Sequence, residues 1–254
     1  MRYIIFHNNN TPQFNGFVDE TTRNGILSTA QIIYKGRNTV YRVQHPSGDI
    51  NIKAFHCPSF INSIIYTTLR KSKAFRSFAN ASQLINLGFH SPTPLGYGEE
   101  RNGCRLIHSY YFSEQIEAQN MRDWEQKNDC EPLLRAFAKE IVKLHRAGVW
   151  HKDFSPGNIL YTGNENDGYT FYYIDLNRMK FNVFDRKTQL SMFRAINLSP
   201  IETERIARYY AEESGENPDT IAQIAVKNLN KYLATKSRKR WLKKLFKTKK
   251  NNIS

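Results

Sequence analysis

Runs of β-branched and aromatic residues, broken by turn-forming ones, fill the first part of the chain, and apolar stripes at helical spacing fill the rest. Ile26 to Lys35 (ILSTAQIIYK) and Thr39 to Gln44 (TVYRVQ) read as strands. His45-Pro-Ser-Gly-Asp49 has turn chemistry, and Ile50 to Phe55 (INIKAF) reads as a third strand of an antiparallel sheet. Ser59 to Leu69 and Lys73 to Leu87 read as helices. In the second, Phe75, Phe78, Ser82 and Ile85 share a face and Gly88 stands at the C-terminal cap position. Leu95 to Glu99 and Cys104 to Phe112 form a hairpin around Arg101-Asn-Gly103, with Ser113-Glu114 as a hinge beyond it. Leu134, Phe137, Ile141 and Leu144 make the stripe of a helix that ends near Arg146 and stops at Gly148. Ile159 to Tyr161 and Tyr169 to Ile174 are short strands joined by the turn-rich Thr162 to Gly168, and from Lys187 the pattern is mostly helical. The sum is a small sheet-rich lobe followed by a helix-rich lobe.

A chain of 254 residues, 40% hydrophobic and 13% aromatic, is long and apolar enough for a packed two-lobed domain. Its longest apolar run near the start, Tyr3 to Phe6, is too short for a signal-peptide core. No stretch approaches the roughly 20 apolar residues of a membrane span, so the chain is expected in the cytosol. Cys57, Cys104 and Cys130 are odd in number and lack C-x-x-C spacing, which indicates neither a disulfide framework nor a zinc site. The formal net charge of +14 is concentrated at the end: no Asp or Glu follows Asp219, and the last stretch reads KSRKRWLKKLFKTKK. An anionic partner is implied.

Trp150 to Tyr161, WHKDFSPGNILY, sets His151, Asp153 and Asn158 in the spacing H-x-D-x-x-x-x-N. That is the spacing of the catalytic loop of a kinase-like phosphotransferase. Phosphoryl transfer to a hydroxyl needs a carboxylate beside the attacking oxygen, here Asp153, and an amide oxygen on Mg²⁺, here Asn158. His151 is expected to brace the loop, and Pro156-Gly157 to supply its turn. Asp175, at the end of an apolar strand in YYIDLNRMKF, is the second expected Mg²⁺ ligand. Lys53 lies in an apolar strand about 100 residues before Asp153, where a kinase lysine meets the α- and β-phosphates of ATP; without the catalytic loop, a snorkelling strand lysine would be the better reading. Between the first two strands only Lys35-Gly-Arg-Asn38 is available as a phosphate loop, and it is not G-x-G-x-x-G. Gly36 and Asn38 are candidate nucleotide contacts there, and a plain hairpin turn explains Gly36 about as well.

These motifs, with RKSKAFRSFANASQLINLGFHSPTPLGYGEE, resemble the bacterial lipopolysaccharide kinase family over roughly Gly36 to Gly215. That family includes Kdo kinases and inner-core heptose kinases, small relatives of the protein kinases. The resemblance implies an α+β, two-lobed protein-kinase-like fold with an antiparallel-sheet N-lobe, residues 1–112, and a mainly helical C-lobe, residues 113–235. It implies Asp153 as base or acceptor-orienting carboxylate, Asn158 and Asp175 as Mg²⁺ ligands and Lys53 as the phosphate lysine. The implied cofactors are ATP and Mg²⁺; the implied acceptor is a lipid A-linked sugar of the lipopolysaccharide core, Kdo or heptose.

Two departures stand out. The helix after the lysine strand normally carries a glutamate paired with that lysine, yet no Asp or Glu lies between Asp49 and Glu99. Ala79 is expected at that place, with Asn80 or Gln83 as a neutral substitute; a lysine that has lost a buried charge partner costs about 3 kcal/mol or more and is held less well for catalysis. Asn177 also stands where protein kinases carry the glycine of D-F-G, and no A-P-E segment follows. This disfavours a peptide acceptor and activation-loop control.

In the basic tail, residues 236–254, Trp241, Leu242, Leu245 and Phe246 recur at helical spacing among cations between Lys236 and Lys250. This is the pattern of a helix lying on an anionic membrane surface. A frayed solvated end, a nucleic-acid patch and a helix docked on its own domain are the competing readings; no nucleic-acid-binding motif is present. The leading expectation is therefore a glycolipid kinase, cytoplasmic and peripheral on the inner membrane. A small-molecule kinase of the aminoglycoside or choline type and a pseudokinase scaffold at the membrane remain open.

Overall fold

The computed structural model describes residues 1–56, 71–103, 105–126, 130–196 and 198–251. The helix expected over Ser59 to Leu69 lies outside the described residues, as do Cys57 and Cys104. The chain divides into two compact units: residues 1–119 with 170–179, and residues 120–169 with 180–254.

The first unit is built on a six-stranded antiparallel sheet of β1 (Arg2–His7), β2 (Gln31–Lys35), β3 (Thr39–Val43), β4 (Ile50–Ala54), β5 (Pro94–Asn102) and β6 (Arg105–Glu114), in the order β1-β5-β6-β4-β3-β2. Among the described residues two helices serve it, α1 (Asn15–Asn24) and α2 (Lys73–Asn86). Strand β4 alternates: Ile50 and Ile52 enter one buried cluster with Phe14, Val18, Leu95 and Phe112. The opposite face carries a second cluster in which Phe55, Ala74 and Tyr97 are joined by Phe75, Phe78 and Tyr111. A bulge between Pro94 and Gly96 lets Leu95 and Tyr97, two residues apart, enter opposite clusters. Glycine at 98 lets α1 lie close on the sheet, since a Cβ there would stand 2.0 Å from Thr22 Oγ1.

Three expectations need correction. β1 and α1 were not anticipated: the apolar run Tyr3 to Phe6 is short and α1 is mostly polar, and β1 becomes a strand by pairing along β5, from Arg2 opposite Arg101 to His7 opposite Gly96. Ser113-Glu114 is not a hinge; both residues are paired in β6, opposite Asn51 and Ile50. The buried face of α2 is Ala74, Ser77, Ala81 and Leu84, not the Phe75, Phe78, Ser82, Ile85 face. Small residues there let the helix approach the sheet while the phenylalanines flank it. The helix itself is capped as its ends suggest, with Ser72 Oγ accepting from Phe75 N at 3.0 Å and Gly88 N donating to Ile85 O at 2.9 Å.

The second unit is helical. α3 (Glu131–Arg146) buries Leu134, Phe137, Ile141 and Leu144, and Gly148 N donates to His145 O at 3.0 Å to end it. After β7 (Ile159–Asn164), strand β8 (Gly168–Tyr173) leads the chain back into the first unit at Thr170. Two short helices, α4 (Arg186–Leu190) and α5 (Phe193–Ile196), precede α6 (Pro200–Ser214), which opens on a capping box of Ser199 and Glu202 with proline at its first position. α7 runs unbroken from Pro218 to Asn251. Its first half buries Ile221, Ala222, Ala225 and Leu229, whereas residues 231–238 and Trp241 are exposed. The side chains of Leu242, Leu245 and Phe246 lie outside the described ones. Among the described residues no helix is long and apolar enough to cross a membrane.

The expected lobe boundary fell after Phe112, with Asp175 in the second lobe. In the structure the first unit runs to Gln119 and takes in residues 170–179, because that segment is bonded to it: Tyr173 N donates to His90 O at 3.0 Å and Asn80 Nδ2 to Leu176 O at 2.6 Å.

Candidate active site

The catalytic-loop spacing folds into a closed turn in the second unit. His151, almost fully buried, accepts the backbone N–H of Asp153 on its Nδ1 at 3.1 Å, so the imidazole fixes the backbone that carries the carboxylate. The next residue, Phe154, is buried and stacks on Phe137 of α3 with ring centroids 5.6 Å apart. Asp153 O then accepts from Ser155 N at 2.8 Å and from Asn158 Nδ2 at 2.8 Å. That bond commits the amide nitrogen of Asn158 and leaves its oxygen as the donor atom suited to a cation. Pro156–Asn158 is a single 3-10 turn. The sequence did not point to the two side chains that hold this turn from outside: Asn120 Nδ2 donates to Gly157 O at 3.4 Å, and the Arg122 guanidinium lies where a Cβ on residue 157 would stand 2.2 Å from Nη2.

In the first unit, Lys53 projects from β4 between Val40 of β3 and Tyr111 of β6. Its Nζ donates to Asp175 Oδ1 at 2.6 Å, and Asn177 Nδ2 donates to the same oxygen at 2.6 Å. Asp175 takes a left-handed backbone, φ 57°, ψ 46°, uncommon for a residue with a side chain and tolerated best by Asn and Asp among them. The strain is held by the 3-10 turn Leu176–Arg178, which α2 grips through Asn80 and through Arg76 Nη1 donating to Asn177 O at 2.9 Å. The expectation that Asn80 or Gln83 would meet Lys53 is therefore corrected: Asn80 is spent on the Leu176 carbonyl, Gln83 is exposed, and Asp175 fills the role of charge partner. Ala79 is half-buried, whereas the buried positions of α2 are Ala74, Ser77, Ala81 and Leu84.

The β2–β3 connection is a tight hairpin. Gly36 N donates to Asn38 O at 3.1 Å, the Tyr34 ring lies over Gly36, and Asn38 Oδ1 accepts from His56 N at 3.3 Å. Asn38 thus ties the hairpin to the end of β4, while Gly36 makes the room that Tyr34 occupies. The structure brings Lys53 together with Asp175 in the first unit, and Asp153 with Asn158 in the second. Among the described residues no three His, Cys, Asp or Glu side chains are grouped to hold a metal. Mg²⁺ held by one or two carboxylates and substrate phosphates needs no such group.

A loop that fixes a carboxylate and an amide by backbone bonds, on a fold whose sheet presents a lysine to a strand-end aspartate, defines a kinase-like phosphotransferase. The sequence model of the lipopolysaccharide kinase (Kdo/WaaP) family matches residues 32–210, more than half the chain, and the chain belongs to that family. No curated protein matches the sequence. Among solved structures, WaaP in complex with acyl carrier protein aligns at TM-score 0.60 and 17% identity, covering 94% of this chain and 99% of that one. The Rio2 kinase of Chaetomium thermophilum in an ADP/Mg²⁺-phosphoaspartate complex aligns at 0.48 and 15%, covering 89% and 76%; WbdD with the inhibitor LY294002 aligns at 0.44 and 15%, covering 78% and 44%. The WaaP likeness supports the kinase-like fold.

Proposed function

We propose that this chain transfers the γ-phosphoryl group of Mg·ATP to a hydroxyl of Kdo or heptose in the lipopolysaccharide inner core, at the cytosolic face of the inner membrane. Bound Mg²⁺ would neutralise phosphate charge. The carboxylate of Asp175 and the amide oxygen of Asn158 suit that ion, and Lys53, already partnered by Asp175, suits the α- and β-phosphates with Gly36 and Asn38 near the nucleotide. Asp153 orients the acceptor hydroxyl and takes its proton. Catalysis of this kind rests on positioning and charge stabilisation. The observation that carries the reading is the fixed catalytic turn, in which His151 holds the Asp153 backbone and Asn158 is tied back to the Asp153 carbonyl.

The tail supports a membrane-bound acceptor. From Lys236 to Lys250 it holds nine lysines and arginines with no carboxylate, each worth about 1 kcal/mol near an anionic leaflet, on a helix whose residues 231–238 are exposed. Confinement to the surface raises the effective concentration of a glycolipid acceptor. The acceptor is tested by offering Mg·ATP with Kdo-terminated and heptose-extended lipid A separately. Product on one of them identifies the sugar, and product on neither, with phosphate moved to a soluble aminoglycoside or choline instead, overturns the reading.

A further inference from the structure

Lys73, the first residue of α2, is a lysine that the roles above leave unassigned. Its ammonium stands 5.8 Å from the centroid of the Phe55 ring, and that of Lys53 stands 5.6 Å from the same ring. Burial lowers the Lys73 pKa, and Arg37, Arg76 and Lys53 push it the same way; the opposing carboxylate is Asp175, which Lys53 already holds. The ammoniums of Lys53 and Lys73 thus share one ring, Lys53 pairs with Asp175, Arg76 donates to the nearby Asn177 carbonyl, and the sequence supplies no Asp or Glu between Asp49 and Glu99. Like charges gathered beside a buried ring destabilise a fold unless an anion joins them.

We propose that Lys73 is a second phosphate-binding lysine, acting with Lys53 and Arg37 on the polyphosphate of the nucleotide. A multiply charged anion suits the surplus of cations, and the N-terminal end of α2 adds its own partial positive charge. The inference rests on the ATP reading above and adds to it a residue that no helix glutamate restrains.

The test is calorimetric titration of the native chain, Lys73→Met and Lys73→Arg with Mg·ATP, Mg·ADP and AMP, alongside melting of each nucleotide-free chain. Lys73→Met is expected to weaken Mg·ATP and Mg·ADP about tenfold, with AMP changed less than twofold, while the nucleotide-free protein melts no lower than native because a repulsion has been removed. Lys73→Arg, which keeps the charge, is expected to restore most of the affinity. Unchanged Mg·ATP binding by Lys73→Met, or an equal loss for all three nucleotides with a lower melting temperature, overturns the proposal. So does a rise confined to the KM of the glycolipid acceptor, which would place Lys73 on acceptor phosphate. Failure of the native chain itself to bind Mg·ATP overturns the ATP reading as well.

Discussion

Replacing Lys53 by methionine separates the stabilising from the proposed catalytic role of one side chain. The ammonium makes a 2.6 Å ion pair with Asp175, with side chains 16% and 30% exposed. Exposed pairs contribute about 0–1 kcal/mol, and breaking a buried pair costs about 3–5 kcal/mol. Methionine keeps most of the stem's packing, and Asn177 Nδ2 still donates to the stranded carboxylate. The loss of stability should therefore fall between those limits, at about 1–2 kcal/mol. Catalysis should fall much further: removing a preorganised charge from a transferring phosphate typically costs about a hundred- to a thousandfold in kcat, about 2.7–4 kcal/mol. Lys53→Arg should not restore it, since the planar fork does not reproduce a point charge. Urea denaturation measures the first quantity and steady-state phosphate transfer the second. The same cycle with Asp175→Asn should show coupling in stability and strongly non-additive losses in kcat. A Lys53→Met chain with kcat within threefold of native would refute the phosphate role, and one with unchanged stability would refute the ion pair.

Three further outcomes are expected. His145 is buried with Nδ1 2.9 Å from Tyr210 Oη; burial, then the Arg186 charge, lowers its pKa from 6.5 to about 3. Between those values the unfolded chain binds a proton that the folded one does not, so stability is full above pH 6.5 and falls as the pH drops toward 3, by about 1.4 kcal/mol per pH unit. His145→Gln should flatten the slope by that amount in denaturant melts between pH 4.5 and 6; an equal slope would contradict it. Gly98→Ala drives a Cβ to 2.0 Å from Thr22 Oγ1 and 2.8 Å from Thr22 Cβ, and should lower stability by about 1–3 kcal/mol, with recovery in Gly98→Ala/Thr22→Ala. A chain ending at Ala234 should lose co-sedimentation with phosphatidylglycerol vesicles yet keep its turnover on a soluble acceptor; retained sedimentation would remove the tail from the account.

What the sequence made legible is what chemistry or local periodicity imposes. The spacing of Asp153 and Asn158 announced one loop, and the structure ties the two in one turn, while α3 announced itself through Leu134, Phe137, Ile141 and Leu144, all buried. β1 and α1 were not legible. Tyr3 to Phe6 is apolar but becomes a strand only by pairing with β5 some 90 residues away, and the mostly polar α1 is seated by a glycine at 98 that makes room. The α2 face was misread by one position because phenylalanines look like core, whereas the close approach selects Ala74, Ser77 and Ala81. The partner of Lys53 could not be found by searching the helix, since it comes from Asp175, 122 residues further along the chain. Lys73 went unnoticed because a lysine opening a helix is ordinary until its neighbours are seen to be cations.

The most direct test of the central claim is transfer of labelled γ-phosphate from Mg·ATP into inner-core glycolipid by the native chain and by Asp153→Asn. The account predicts label in the glycolipid with the native chain and a drop of about a hundred- to ten-thousandfold on losing the carboxylate. Equal labelling by the two chains would contradict the role of Asp153, and none by either would contradict the transfer itself and favour a scaffold that keeps the kinase fold without its chemistry.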